Sequence, residues 1–266
     1  VAENRVITKL GLMLVNQTRN IGLKSLLMSS GYKKLGTTTI SFGVAPRINA
    51  CGRMGHAEEA LKLFLSDNIS EVQELTKRLN DYNIKRQEKE KSIYREALEM
   101  IEKEHLDEND TIIVAGENWH HGVIGIVASK ITELYFKPSI LLCYEGDEAK
   151  GSGRSIPGFD LHEALMKCLD HIEKFGGHSM AIGITIKREE LEEFRDSLEK
   201  VAREAHIEDI TPIIQIDAKI SLNDINKEMV ESLKQLEPFG EGNKMPVFVI
   251  KNLKIDSIRA LTEGKH

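Results

Sequence analysis

Cysteine, proline and tryptophan are all scarce in this sequence. The three cysteines, Cys51, Cys143 and Cys168, stand far apart and in odd number. That spacing excludes a disulfide framework and a zinc knuckle, and it suits a reducing, cytoplasmic setting. No apolar run approaches the length that spans a bilayer, so no membrane partner is expected. The opening residues, Val1-Ala2-Glu3-Asn4-Arg5, carry neither an initiator methionine nor the apolar core of a signal peptide, as expected for a piece of a longer protein. Acidic residues are nearly missing from one region. Residues 1–56 hold eight Lys/Arg against the single Glu3, a balance of +7, whereas the other 28 basic and 41 acidic residues leave −13 and the whole chain is at −6. A basic face on an acidic protein can meet a polyanion while discouraging other association.

The patterning that is present reads as α/β. Apolar positions over residues 4–16 and 21–29 predict two short helices, and residues 56–66 a third. The β-branched and aromatic run Thr37 to Gly43 predicts a strand, followed by an irregular basic loop through Ala45-Pro46-Arg47-Ile48-Asn49-Ala50-Cys51-Gly52-Arg53-Met54. From Ile69 to Glu104 no proline or glycine interrupts a helical pattern that is apolar at both ends and polar all round in the middle, which predicts a connector. Thr111 to Ala115, a helix from Val123 to Tyr135 and Ser139 to Tyr144 then form a βαβ unit, with Pro138 ending the helix. A helix over 189–205 closes this α/β part. After Thr211 a strand at Ile213–Asp217, a helix at 227–236 and a hairpin from Val247–Ile250 and Leu253–Ile258 predict the start of a small β-barrel.

Two glycine-flanked polar stretches carry the chemistry. Lys150-Gly151-Ser152-Gly153-Arg154-Ser155 and Phe175-Gly176-Gly177-His178-Ser179-Met180-Ala181-Ile182-Gly183 read as turns bracketing a short helix that starts at Leu161. An arginine fork and a hydroxyl suit a phosphate, and paired glycines expose main-chain N–H groups to an anion. His120 and His121 sit at the C-terminal end of the first βαβ strand, where such sheets place ligands. With no acid or cysteine at ligand spacing, no metal site is expected there.

Several of these stretches, in order, resemble the RecJ single-strand-specific 5′→3′ DNA exonucleases of the DHH/DHHA1 superfamily. Residues 46–53 are similar to that family's interdomain motif, Trp119-His120-His121-Gly122-Val123-Ile124-Gly125-Ile126 to the opening of its DHHA1 domain, 151–155 and 175–183 to that domain's signature motifs, and Gly240-Glu241-Gly242-Asn243 with Gly264-Lys265-His266 to its oligonucleotide-binding barrel. Cys51 and Ile182 stand where the family usually has alanine. The resemblance implies four parts: the end of a DHH domain (1–68), a connector helix (69–106), a DHHA1 domain with a mixed or parallel sheet flanked by helices (107–206), and an incomplete OB-type barrel (207–266). It implies phosphodiester hydrolysis on single-stranded DNA with Mn²⁺ or Mg²⁺, whose ligands are expected outside this chain because it has no Asp-His-His motif. Arg154, Ser152, His178, Gly176, Gly177, Arg53, Arg47, Asn49 and His120 are the expected phosphate- and DNA-binding residues, with no catalytic residue among them. A single-strand-binding protein or a helicase is the implied protein partner, and a monomer the implied state. A phosphodiesterase for short oligonucleotides or cyclic dinucleotides, and a non-catalytic nucleic-acid-binding module, are the alternatives.

Overall fold

A computed structural model describes residues 2–32 and 35–259. The chain divides into two compact units, one of Thr18–Lys34 with Thr38–Pro212, the other of Val1–Gln17, Leu35–Thr37 and Ile213–His266.

In the larger unit, α2 (Ile21–Ser29) follows α1 (Glu3–Val15, of the other unit) and is capped by the Asn20 side chain, which accepts from the Leu23 N–H. The expected strand at 37–43 is not formed. A π-helical turn, Thr39–Val44, runs directly into α3 (Ala45–Met54), so the expected irregular basic loop is also helical. Pro46 lies in the first turn, where its missing N–H costs nothing. Burial of Thr39, Val44, Ala50 and Cys51 along the inner side of this segment outweighs its β-branched composition.

After α4 (Ala57–Leu65), the 35-residue α5 (Ile69–Lys103) begins at an Asn68 cap and runs about 52 Å. Its first half packs on α2, α3 and α4 through Val72, Leu75 and Leu79; its second half buries Ile93, Ala97 and Ile101. The middle is mostly exposed, as its sequence suggests, but two of its polar residues are not. Asn83 and Glu90 are each 7% exposed. Glu90 accepts from Arg86 one turn earlier and from Lys130 Nζ at 2.5 Å, while Arg86 Nη2 donates to Asn83 at 2.7 Å.

A five-stranded mixed sheet follows, in the order β1-β2-β3-β5-β4. Its strands and helices, in chain order, are β1 (Ile112–Gly116), α6 (His121–Tyr135), β2 (Ser139–Glu145), β3 (Glu148–Arg154), α7 (Leu161–Met166), β4 (Lys174–His178), β5 (Ala181–Lys187) and α8 (Leu191–Glu204). Only β1 and β2 pair in parallel, as the βαβ pattern requires; β2–β3, β3–β5 and β4–β5 are antiparallel. One face carries Ile113, Ile140, Leu142, Ile182, Ile184 and Ile186 under α7 and α8, where Phe194 is fully buried and contributes about 2–3 kcal/mol by transfer out of water. The opposite face carries Ile112, Val114, Leu141 and Cys143 under α6 and the second half of α5. These helices cover the β1–β2 side, and Gly176, His178 and Gly183 on the β5–β4 side stay exposed.

In the smaller unit, β6 (Ala218–Lys219) pairs in parallel with β7 (Phe248–Val249), and α9 (Lys227–Lys234) lies between them in sequence. The expected hairpin of 247–250 with 253–258 is not formed: residues 248–249 pair with 218–219, and 253–258 carry no strand. Asp217 reinforces this register, its N–H donating to Val247 O and its carboxylate accepting from Val247 N. Gly264, Lys265 and His266 lie outside the described residues.

Candidate nucleic-acid interface

The two glycine-flanked stretches are strands, not turns. Lys150–Arg154 is the core of β3, paired on both sides, and Phe175–His178 with Ala181–Gly183 is the β4–β5 hairpin. Glycine is needed here for close packing: a side chain at Gly151 would strike Leu141 O and Leu142. Gly176 and Gly177 lie on the edge strand β4, where they face Gly183 and Ile182 across the ladder, so their N–H groups belong to a strand and not to a turn.

The antiparallel register aligns the polar side chains in rows. Arg154 lies opposite Ala181, and Ala181 opposite His178; Ser152 lies opposite Gly183, and Gly183 opposite Gly176. Alternate strand residues share a face, so Ser152, Arg154, Gly176 and His178 all look out on the side where α6 ends. His178 is exposed and its side chain makes no hydrogen bond among the described residues. Arg154 is half-buried. Its Nη1 donates to Ser152 Oγ at 2.8 Å and to Gly153 O at 2.7 Å.

α6 brings the second arginine to this place. A side chain at Gly122 would meet Arg53 O at 2.7 Å, and one at Gly125 would meet Ser152 Oγ at 3.0 Å and Arg154 Nη2 at 3.1 Å. These two glycines, one turn apart, let α6 lie between α3 and β3 with Arg53 on one side and Arg154 on the other. Arg53 is exposed and its Nη1 donates to Gly122 O at 2.7 Å. Asn49, exposed one turn earlier on α3, shares its face. Burial pushes the Arg154 guanidinium down from its ordinary value, and the charge of Arg53 pushes it further in the same direction. It stays a cation nonetheless. No carboxylate offsets the pair: neither arginine has an ion-pair partner among the described residues.

Two of the expected site residues are engaged elsewhere. Arg47 spends its guanidinium internally, donating to Asn80 Oδ1, Gly43 O and Ser29 O. His120 is the α6 cap; its Nδ1 accepts from Gly122 N at 3.1 Å, and burial, with Lys89 and His121 adding to it, lowers its pKa, so it is a neutral acceptor. Its neighbour His121 bonds Glu145 Oε1 at 2.5 Å. Lys150 Nζ also reaches Glu145 at 2.9 Å, and it reaches Glu148 at 3.1 Å. Charge is therefore paired two residues from Ser152 along β3 and unpaired at Arg154. Trp119 does not line the site: it is buried, and its Nε1 donates to Glu96 at 2.9 Å. The sequence reading missed Gly122 and Gly125, although glycines inside a strongly helical run are a visible signal of close packing.

Comparison with known proteins matches residues 109–204 to the DHHA1 domain and residues 216–266 to the RecJ OB domain. The single-stranded-DNA-specific exonuclease RecJ of Bacillus subtilis (strain 168) is 37% identical over 268 residues, covering 99% of this chain and 34% of that protein. This chain belongs to the RecJ family. The RecJ counterpart from Thermus thermophilus is 32% identical over 263 residues, covering 99% of this chain and 38% of that protein. The crystal structure of RecJ from Thermus thermophilus in complex with Mn²⁺ matches with a TM-score of 0.82 at 31% identity, over 93% of this chain and 36% of that one. A second structure of that protein is a complex with Mg²⁺. The RecJ-family chain described here thus spans roughly a third of the length of the relatives it matches. No helix among its described residues is long and apolar enough to cross a membrane.

Proposed function

We propose that this chain is the substrate-binding part of a RecJ-like 5′→3′ single-stranded-DNA exonuclease, which hydrolyses phosphodiester bonds to mononucleotides in DNA repair and recombination. The observation that carries the reading is a pair of arginines, Arg53 and Arg154, held on either side of α6 with no acid to neutralise them. Such a pair suits a phosphate, whose oxygens accept from planar guanidinium forks. Arg154 and the Ser152 hydroxyl hold the 5′-terminal phosphate, Arg53 and Asn49 hold the chain from the opposite wall, and His178 donates at the far end of the Arg154 row. The connector helix α5 fixes the separation of the two walls, and the OB region is a further surface for single-stranded DNA. Arg47 and His120 serve the fold rather than the ligand. The four-part division at residues 68, 106 and 206 is the domain organisation that goes with this role. The protein acts as a monomer in the cytoplasm, with a single-strand-binding protein or a helicase as its protein partner.

Among the described residues no group of three or more His, Cys, Asp or Glu side chains could hold a metal ion. Bond cleavage therefore falls to a metal-bearing domain outside this chain, and the chain alone, supplied with manganese, releases no nucleotides from a 5′-phosphorylated single strand. Nucleotide release would overturn that assignment. Binding tests the grip itself. Affinity for a single-stranded oligonucleotide is expected to rise with a 5′ phosphate, and Arg154→Ala is expected to remove that preference, a loss of about 2 kcal/mol for a charge-assisted contact. Equal affinities of the variant and the parent for the phosphorylated strand would sink the phosphate role.

A further inference from the structure

Most glycines of the α/β part have a reason inside the chain. Gly177 has a φ of +144°, which a side chain would strain, and Gly122, Gly125, Gly151 and Gly153 each abut a neighbour that an added Cβ would press. Gly176 and Gly183 differ. Neither has a left-handed φ, and an added Cβ at either would meet nothing within 4 Å. They face each other across the β4–β5 ladder, both exposed, on strands where glycine weakens pairing and any β-forming residue would do better. Neither backbone conformation nor packing within the chain calls for glycine at these two positions. Together they make a bare patch of main chain beside Ser152, which is directly opposite Gly183.

We infer that this patch is a seat for the sugar next to the gripped phosphate, with Gly183 as the residue that keeps it open. The inference rests on the phosphate reading of Arg154 and Ser152. Neighbouring strands stand about 4.8 Å apart, so a group one strand over from a phosphate at Ser152 lies over Gly183, at the distance of the sugar that carries that phosphate. A flat C–H face of a furanose ring can rest on bare backbone and cannot approach as closely over a side chain. Gly176, one strand further, continues the same floor toward the sheet edge. Gly183 is therefore a specificity-determining position that the fold itself leaves free to change.

Because the position is open, substitution separates folding from binding. In the full chain, Gly183→Ala and Gly183→Val are expected to melt at the parent temperature or above it. In EDTA they are expected to bind a 5′-phosphorylated single-stranded oligonucleotide more weakly in order of side-chain size, by at least tenfold for valine. Inorganic phosphate should compete as well against the variants as against the parent, since the phosphate contacts are untouched. An oligonucleotide with an abasic 5′ nucleotide should show the same loss, because the sugar remains. Parent-like affinity in Gly183→Val overturns the seat, and so does a lowered melting temperature, which would mean the position is packed. If the valine effect vanishes with the abasic strand, a base and not a sugar lies there, and the inference fails. Arg154→Ala distinguishes the two levels: if it leaves the 5′-phosphate preference intact, the phosphate reading falls, whereas loss of that preference together with an inert Gly183→Val removes the seat alone.

Discussion

Two clusters of charge sit on α6, and they are built on opposite rules. Halfway along the helix, Lys130 meets Glu90 of α5, whose carboxylate also takes Arg86, and Arg86 is in turn held by Asn83. Two cations share one acid, and Glu90 is almost wholly out of solvent. At the N-terminal end, Arg53 and Arg154 approach from either side and no acid joins them. Charges that close on one another hold elements together, and a cation pair left unclosed is available to something outside the chain. The same rule separates Arg47 from Arg53 on a single helix. One is consumed by a side-chain carbonyl and two backbone carbonyls, whereas the other makes one bond and faces solvent.

Removing the acid from the closed cluster should give the largest effect. Glu90→Ala leaves the mostly buried Arg86 and the half-exposed Lys130 without their counter-charge, and denaturant unfolding should show a loss of about 3 kcal/mol. A loss under about 1 kcal/mol would mean the cluster is solvated and the contrast with the arginine pair is false. Next is the pair on α3. Arg47→Ala should lower stability by about 1–2 kcal/mol, because Asn80 Oδ1 and two carbonyls lose a donor, while the slope of log affinity for single-stranded DNA against log salt stays at the parent value. Arg53→Ala should do the reverse, with little change in melting and a slope reduced by about 0.7, the share of one phosphate contact on a single strand. Matching responses from the two variants would erase the distinction. The smallest effect lies at Glu96, whose carboxyl is held below its usual range chiefly by the Trp119 Nε1–H, then by Ser92. A depressed carboxylate pKa stabilises the fold above its unfolded value and loses that contribution as pH falls through the folded value. The parent should therefore lose stability on acidification through the carboxylate range more steeply than Trp119→Phe does. Parallel curves would show that this buried bond carries no proton linkage.

Much of the architecture could be read from residue patterns. α5 was legible nearly to its ends, because an uninterrupted run without glycine or proline leaves little else to form. The β1–α6–β2 unit was legible from a β-branched run, a helical period and Pro138. The same reasoning failed where glycine and β-branching carry two meanings. Gly151, Gly153, Gly176 and Gly177 suggested turns, yet they are strand positions, three of them crowded by neighbours and one open. Thr37 to Gly43 suggested a strand, yet burial of Thr39 and Val44 against neighbouring helices draws the segment into a helix, a long-range demand that local composition does not record. Leu253 to Ile258 alternates like a strand, but β7 takes β6 as its partner. Of the candidate site, Arg53, Arg154, Ser152 and His178 were identifiable by type and their proximity was not, since it depends on the register of β3, β5 and β4 and, for Arg53, on the packing of α3 against α6. Arg47 and His120 have the right chemistry, and only the structure shows that their hydrogen bonds are already made.

The unclosed arginine pair has a consequence for the fold that holds it. Two like charges kept near one another raise the free energy of the empty state, because the backbone of α3, α6 and β3 must bear their repulsion. An anion that settles between them removes that burden as well as adding its own contacts, and whatever binds only the folded form stabilises it in proportion to its occupancy. If the proposed phosphate binds there, its occupancy at α6 firms a region that the empty arginine pair leaves under strain.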